Sequence, residues 1–520
     1  MRYRIAALVM ASALATAVPA IAVPAMAVPA MAVPADATPP RIAPDSAGPK
    51  PPKPTPPPGT TPPPGAPNGE AWAWTQLTSH GTQIRYVSTD TSQTCPAVRY
   101  TLGGVRNPHS LHRVSTPSTS SQFPTTVCEL RVPLTASNAV LEQTSIQAAT
   151  VHPANRQLPL PKWTSNTRPG KIAVIGDAGC EVPTTGPVQN CANHQTGWPF
   201  QRIADSAAGV TKPDLVIHTG DYLYREDPSK ENDKAANPGC TTFNDRASWD
   251  CVVADFFRPA EALLAAAPVA LTRGNHEDCN MAHKGGAGGA WFRYLADDLR
   301  SNESCSDYSA PSLIPAGTLT LASVDSSFAD PSDIGSTAQR GIYARQFQAV
   351  NQAALQSPAN DFFVVTHKPL WMVKASGNPP NSAEWLTRVL DAAVADTSLH
   401  RLADNVRLVL SGHIHLYQML DFNSPRPPQL TVGSSGGTLD NGPDDSKVVG
   451  QLIGTQPPQA VTQSITQEQN PPGGVGVFGY AVLDDNGGTW NLTFHDTAGA
   501  VRGKTCALSA SKTNKLFACH

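Results

Sequence analysis

Two hydrophobic rhythms divide the chain. Between residues 70 and 165 apolar and polar side chains alternate with period two, at 83–88 (QIRYVS), 97–102 (AVRYTL) and 127–132 (VCELRV). Ser, Thr, Pro and Gly break these runs, a spacing that predicts a small all-β domain over 70–165. After Pro161 the rhythm changes. Short β-branched runs recur at 172–175, 215–217, 269–271, 362–365 and 406–410, and the stretches 259–267 and 382–395 between them carry helix-forming, partly amphipathic patterns. Strands alternating with helices predict an α/β domain over 166–520. Near the end, the runs 476–483 and 489–495 flank Asp485-Asn486-Gly487-Gly488, a hairpin signal expected to close the sheet. Residues 440–473, rich in Pro, Gly, Gln and Asp, read as a long exposed loop.

The first 69 residues have neither rhythm. Arg2 and Arg4 precede an apolar run over 5–18, too short for the ~20 residues of a membrane-spanning helix but suited to a signal-peptide core. Ala-Val-Pro-Ala then repeats at 17–20, 22–25, 27–30 and 32–35, offering several cleavage sites within a signal region of 1–36. Residues 37–69 read as a semi-rigid proline-rich linker, because 18 of the 50 prolines precede residue 70. Export makes the protein secreted or periplasmic, and in that setting ten cysteines are expected to form disulfides, simplest as neighbours paired in order. Lys and Arg number 38 against 41 Asp and Glu, so no basic surplus marks a nucleic-acid footprint. No membrane span is expected after processing, and nothing in the sequence sets the oligomeric state.

The chemistry lies where the α/β strands end. The runs at 172–175, 215–217, 269–271, 362–365 and 406–410 lead into Gly176-Asp177-Ala178-Gly179, Gly220-Asp221-Tyr222-Leu223-Tyr224, Gly274-Asn275-His276-Glu277, Thr366-His367 and Gly412-His413-Ile414-His415. Five strands thus deliver Asp, Asn, Tyr or His at their carboxyl ends, where α/β sheets carry their sites. A lone Gly-Asp is usually a turn, and a lone strand-end His is usually structural. All five in this order point to metal ligation. The other histidines His80, His109, His112 and His152 have no acidic or cysteine companions at metal spacing and read as surface residues.

These motifs resemble the calcineurin-like metallophosphoesterase superfamily over about 171–440, and within it the purple acid phosphatase type. Many members begin with DxH, whereas this chain has Gly179 at that place and Tyr224 instead. The resemblance implies a metallophosphoesterase-type β-sheet sandwich flanked by helices. It implies one metal held by Asp177, Asp221, Tyr224 and His415, and a second held by Asp221, Asn275, His367 and His413, with Asp221 shared. Carboxylate and phenolate suit Fe(3+), and the Asn/His set suits a divalent Zn, Mn or Fe. His276 is carried over as the catalytic residue that meets phosphate or protonates the leaving oxygen. The implied activity is hydrolysis of small phosphate monoesters by metal-activated hydroxide.

One departure bears on substrate. The family commonly places further substrate histidines nine or ten residues after the histidine of the fourth motif, here His367 of Val364-Val365-Thr366-His367, where this chain has Ser376 and Gly377, with Lys368 and Lys374 as nearby cations. A phosphodiesterase on the same two metals is therefore the close alternative. A catalytically silent extracellular binding protein is the more distant one, since such relatives are expected to lose ligands and every ligand position here is filled.

Overall fold

A computed structural model describes residues 70–520 except 90–93, 116–122, 143–149, 184, 227–237, 241–247, 280–286, 301–303, 330–336, 375–383, 423–424, 455–456 and 468–475. The expected signal region and linker, with Ser376 and Gly377, lie outside the described residues. The chain divides between Pro63 and Pro64, and every described residue belongs to the second unit.

Strands Lys171–Ile175, Leu215–His218 and Val269–Leu271 run parallel at the middle of a twelve-stranded sheet. Their runs are apolar without alternation because both faces are buried. Ile172, Val174, Leu215, Ile217 and Ala270 face a second sheet, whereas Ala173, Ile175 and Val216 pack beneath Ile203, Leu263 and Trp291 of helical segments. The second sheet has eight strands, among them Leu319–Ser323, Asp361–Val365, Val406–Ser411 and Gln429–Val432 in parallel. It turns Phe363, Val365, Leu408 and Leu410 inward and Phe362, Val364 and Val409 outward. Against the outward set lie Tyr343, Phe347, Val350 and Ala354 of helix Thr337–Gln356, and Val389, Leu390 and Ala393 of helix Glu384–Ala395. The result is two sheets face to face with helical segments outside them, each buried aliphatic side chain contributing about 1.5–3 kcal/mol.

The residues 70–165 form strands as the alternation predicts, but these strands do not stand apart. Glu70–Thr78 pairs in parallel with Val269–Leu271, through Gln76 and Val269, and then antiparallel with Gly81–Ser88. Thr126–Val132 and His112–Ser115 follow in the same sheet. A smaller sheet of Val105–Ser110, Ala97–Leu102, Ser137–Glu142 and Gln157–Leu158 encloses Tyr86, Val98, Tyr100 and Leu141. Without Glu70–Thr78, the Val269–Leu271 strand would be an unpaired edge. The sequence hides this pairing because the partners are far apart in the chain.

Two further differences concern the C-terminal third. The hairpin forms as Gly479–Asp485 and Trp490–Asp496, but it pairs beside the central Lys171–Ile175 strand rather than ending the sheet, which continues through Val501–Leu508 and Phe517–Cys519. Nor is 440–473 one loop: Gln459–Thr466 pairs with Tyr417–Phe422, beside a short helix Asp445–Val448. Its polar inward residues concealed it, and Asp445 satisfies them. The Asp445 carboxylate accepts from Ser464 Oγ at 2.7 Å, Thr466 N at 2.8 Å and Thr466 Oγ1 at 2.7 Å. The cysteines pair in order as expected: Cys95–Cys128, Cys180–Cys191, Cys240–Cys251, Cys279–Cys305 and Cys506–Cys519.

The Cys506–Cys519 loop inserts Lys515 into the protein. Its Nζ donates to the carbonyls of Pro425 at 2.7 Å and Ala403 at 3.3 Å. Burial, helped by Arg401 and Arg407 and opposed by Asp404, depresses its ammonium pKa from 10.5 to about 7. Between those values the unfolded chain binds more protons than the folded one, so this residue's contribution to stability rises with pH through that window and is lost as pH falls through 7. Lys515→Met is expected to raise the melting temperature most at pH 7 and below, with the advantage vanishing towards pH 10.5. Melting curves of both proteins across this range check it; a pH-independent difference would contradict the assignment.

Candidate metal centre

Each of the five strand-end motifs opens at the same edge of the paired sheets. Asp177, Asp221 and His413 leave their strands with φ of 54°, 57° and 73°, in the left-handed region that non-glycine residues seldom adopt. Such strain persists only where neighbours over-determine it. Here they do. The buried Glu277 carboxylate accepts from the amides of Tyr222 at 2.9 Å, Leu223 at 3.0 Å, Gly274 at 3.1 Å and Asp221 at 3.2 Å. The Asp177 carboxylate in turn accepts the His413 amide at 3.0 Å.

Tyr224 stands at the centre of one group. Its hydroxyl donates towards Asp221 Oδ2 at 2.8 Å and Asp177 Oδ1 at 3.0 Å, and lies 2.9 Å from His415 Nε2. Gly179 is what lets it in: a Cβ there would lie 2.7 Å from the Tyr224 ring and 2.8 Å from the Tyr222 carbonyl oxygen. The histidine of a DxH motif and this tyrosine exclude one another sterically. Behind Tyr224, Asp255 accepts its amide at 2.9 Å, the Cys180 amide at 3.1 Å and Arg225 Nε at 2.7 Å. One buried carboxylate thereby ties the Asp177 loop to the Tyr224 loop, and Cys180–Cys191 closes the same region.

The second group shares Asp221. His367 Nε2 lies 2.8 Å from Asn275 Oδ1 and 3.1 Å from Asp221 Oδ2, and the ring of His413 stands 5.1 Å from that of His367. Asp221, His367 and His413 bring their ligand atoms within 4.8 Å of one another. The outer nitrogens are already spoken for. His367 Nδ1 meets the Thr219 carbonyl at 3.0 Å, while His415 Nδ1 meets the Thr438 carbonyl at 2.8 Å and Glu181 at 3.0 Å. Both rings therefore turn Nε2 inward, the arrangement that orients metal-binding histidines. A third His/Asp group, His80 with Asp297 and Asp298, is largely exposed and lies elsewhere. His80, His112 and His152 thus do have acidic companions in space, Asp298, Glu129 and Glu261, that the sequence did not bring together.

The charges of the centre are unbalanced as they stand. Burial raises the Asp177 carboxyl to about 6, against the pull of His367 and His415. Asp221 is buried too, yet His367 and His276 hold it well below the ordinary carboxylate range. Burial and then the two aspartates push the Tyr224 phenol well above 10. Burial and His367 hold His413 well below 6.5, so its imidazole is neutral and free to coordinate. Two buried carboxylates, a phenol, an amide oxygen and three inward imidazoles are hard and borderline donors converging on two points. That set fits two cations. Asp177, Asp221, Tyr224 and His415 could hold one, and Asp221, Asn275, His367 and His413 the other, with Asp221 common to both.

His276, the expected catalytic residue, sits beside these groups. Its amide donates to Asp221 Oδ1 at 2.9 Å, its ring rests 4.2 Å from that of Tyr224, and its Nδ1 lies 3.0 Å from the buried Glu226. The cavity before it, about 640 Å³, is lined also by Glu181, Lys368, Lys374, Leu439 and Asp440. Sequence reasoning missed Glu226, Glu277 and Asp255. Glu226 and Glu277 stood in plain sight, two residues after Tyr224 and one after His276, but only their reach in space gives them a role. His218 turns out to brace the Asp221 loop: it is buried, stacks 4.0 Å from Tyr222, accepts the Gly220 amide at 3.2 Å, and has its pKa lowered by burial to about 3. His194 packs near Trp198 instead.

No curated protein matches the chain. Two solved structures resemble it: a predicted phosphoesterase from Streptococcus pneumoniae TIGR4 at 10% identity, and a single mutant of Vps29 from Entamoeba histolytica at 9%. They cover 66% and 67% of this chain and 99% of their own, but with TM-scores of 0.23 and 0.22 neither carries an argument. The sequence itself is more specific. Residues 170–417 match the Metallophos family, Calcineurin-like phosphoesterase, and that span encloses all seven residues gathered at the two points above. The chain therefore carries a calcineurin-like phosphoesterase domain.

Proposed function

We propose that the protein is an exported, binuclear metal-dependent phosphatase acting on small phosphate monoesters. The observation that carries this reading is the sharing of Asp221 between two convergent donor sets, with His276 beside them. Two bound cations would lower the pKa of water and offset charge on phosphoryl oxygens. The chain's own residues supply the rest. Glu226 Oε1, 3.0 Å from His276 Nδ1, is placed to pair with the protonated ring, leaving Nε2 to give a proton to the departing alkoxide or phenoxide oxygen. Glu277 and Asp255 keep the loops of Asp221 and Tyr224 from relaxing. Export accords with five disulfides among the described residues, none of whose helices is long and apolar enough to cross a membrane.

The direct test compares 4-nitrophenyl phosphate with its bis ester. Monoester turnover is expected to dominate and to disappear with chelator; faster diester turnover would favour the phosphodiesterase reading.

The donor sets also divide the metals by charge. Tyr224 keeps its proton at neutral pH unless a strongly charged cation displaces it, which a trivalent ion does far better than a divalent one. Phenolate bound to Fe(3+) absorbs visible light by charge transfer. Tyr224→Phe is expected to bleach that band and weaken retention of the trivalent ion, yet to lower activity less than Asp221→Asn, which touches both donor sets. Oxidised, iron-loaded wild-type protein without a visible band would show that both metals are divalent.

Glu226→Gln provides the check on His276. If Glu226 orients a proton donor, the loss should depend on the leaving group. Alkyl phosphates are expected to fall about 10²-fold, within the range of general-acid contributions, and dinitrophenyl phosphate, which needs no proton, only slightly. Equal losses on both would make Glu226 a packing residue.

A further inference from the structure

Two lysines line the cavity in front of the candidate metal centre, and they are not equivalent. Lys368 follows His367 directly, is buried, and spends its ammonium on the carbonyl of Ala329. Lys374 is about one-third exposed, and its Nζ lies 3.4 Å from Asp440 Oδ1 across the cavity wall. Both ends of this ion pair are anchored. Gln418, itself buried, accepts the Val373 amide at 3.2 Å and donates to the Val373 carbonyl at 3.0 Å, which pins the backbone immediately before Lys374. One residue earlier, Met372 packs with Ile414 and Leu416, the residues flanking His415. On the other side, Asp440 Oδ2 accepts the His415 amide at 3.2 Å, and the Asp440 amide donates to the His415 carbonyl at 2.9 Å. A flexible cation on a fixed root therefore reaches over the segment that carries His413 and His415, restrained by a single carboxylate.

We propose that Lys374 is the specificity-determining cation of this cavity: it leaves Asp440 for an unesterified phosphoryl oxygen of the substrate and so selects dianionic monoesters over monoanionic diesters. The inference rests on the phosphatase reading above and names the residue behind its monoester preference. The exchange costs little, because a partly exposed lysine–carboxylate pair contributes only about 0–1 kcal/mol. Its gain depends on the ester. A monoester keeps three unesterified oxygens and, with a second pKa near ~6, close to two negative charges at neutral pH. A diester keeps two oxygens and one charge. Glu181, Glu226 and Asp440 make the remaining lining acidic, so the cation that is free to move decides how well a second negative charge is tolerated. Asp440 acts as a placeholder, holding the ammonium near the mouth until phosphate arrives.

The two partners should then have opposite effects. Lys374→Met, in the protein with its metals, is expected to cut kcat/KM for 4-nitrophenyl phosphate about tenfold, the worth of one charge-assisted hydrogen bond. The loss should fall mainly in KM, with the bis ester little changed. The dissociation constant for inorganic phosphate, measured by calorimetry, should rise about as much, and Lys374→Arg should recover most of it. Asp440→Asn keeps an acceptor for the His415 amide but releases the lysine, and is expected to tighten phosphate. If Asp440→Asn weakens phosphate as Lys374→Met does, the pair is a structural brace and the proposal is wrong. Equal losses on both esters with an unchanged phosphate constant would also overturn it. Should the wild-type protein hydrolyse neither ester, the phosphatase reading fails by itself, and the opposed shifts in phosphate binding still decide the role of Lys374.

Discussion

Asp177 and Asp221 are buried within reach of one phenol at the ends of adjacent parallel strands, and most of the structure around them answers to that placement. Two carboxylates without water and without a cation repel, and the burial of each alone is costly. The fold does not avoid the cost. It fixes both in left-handed backbone, makes room for them with Gly274 and Gly412, where any Cβ would collide with the carboxylates, and surrounds them with inward nitrogens. A site that needed only stability would have replaced this pair with apolar residues. Its persistence makes sense as preorganisation for positive charge.

The second consequence is a layered division of labour among acids. Asp177 and Asp221 face the cation points. Glu277 and Asp255, equally buried, face away and are consumed by backbone amides and by Arg225. Glu226 and Glu181 each stand 3.0 Å from the Nδ1 of a histidine, His276 and His415. Residue type alone does not separate these roles; the direction of each carboxylate does. Burial raises Glu277 to about 8, with Asp221 adding to it, even though four amides favour its charged form. The loop that presents Asp221 is thus tied to a carboxyl shifted in the opposite direction from Asp221 itself.

This explains what the sequence made legible. Strand-end motifs could be read because each combines a short apolar run buried on both faces with a donor, and the fold brings residues 177, 221, 224, 275, 367, 413 and 415 to one edge of the paired sheets. Supporting residues could not be read, since Glu226 and Asp255 acquire meaning only by reaching His276 and the Cys180 amide in space. The same limit applies to the fold. Helix Thr337–Gln356 went unnoticed because its buried stripe is narrow, Tyr343, Phe347, Val350 and Ala354 among Gln and Arg. Strand Gln459–Thr466 was hidden because Asp445 pays the hydrogen bonds of its inward Ser464 and Thr466. The join between Glu70–Thr78 and Val269–Leu271 left no local mark.

That join has a mechanical meaning for the centre. Val269–Leu271 leads directly into Gly274-Asn275-His276-Glu277, so it carries a donor, the proposed proton carrier and the Asp221 anchor within six residues of its end. It is also only three residues long, too short to hold position by its own ladder on one side. The nine-residue Glu70–Thr78 strand flanks it on the other side, and Gln76 reaches past it to the carbonyl of Leu295 at 2.7 Å. Arg273, just beyond the strand, is held by the Ser306 carbonyl at 2.7 Å and by Asp325 at 3.1 Å, on the segment whose Ser326 supports the His367 amide. Loosening the N-terminal β region would therefore be felt first at Asn275 and His276, and through Arg273 at His367. In the fold it gives Val269–Leu271, the shortest of the five strands that carry the motifs, a neighbour on its second side.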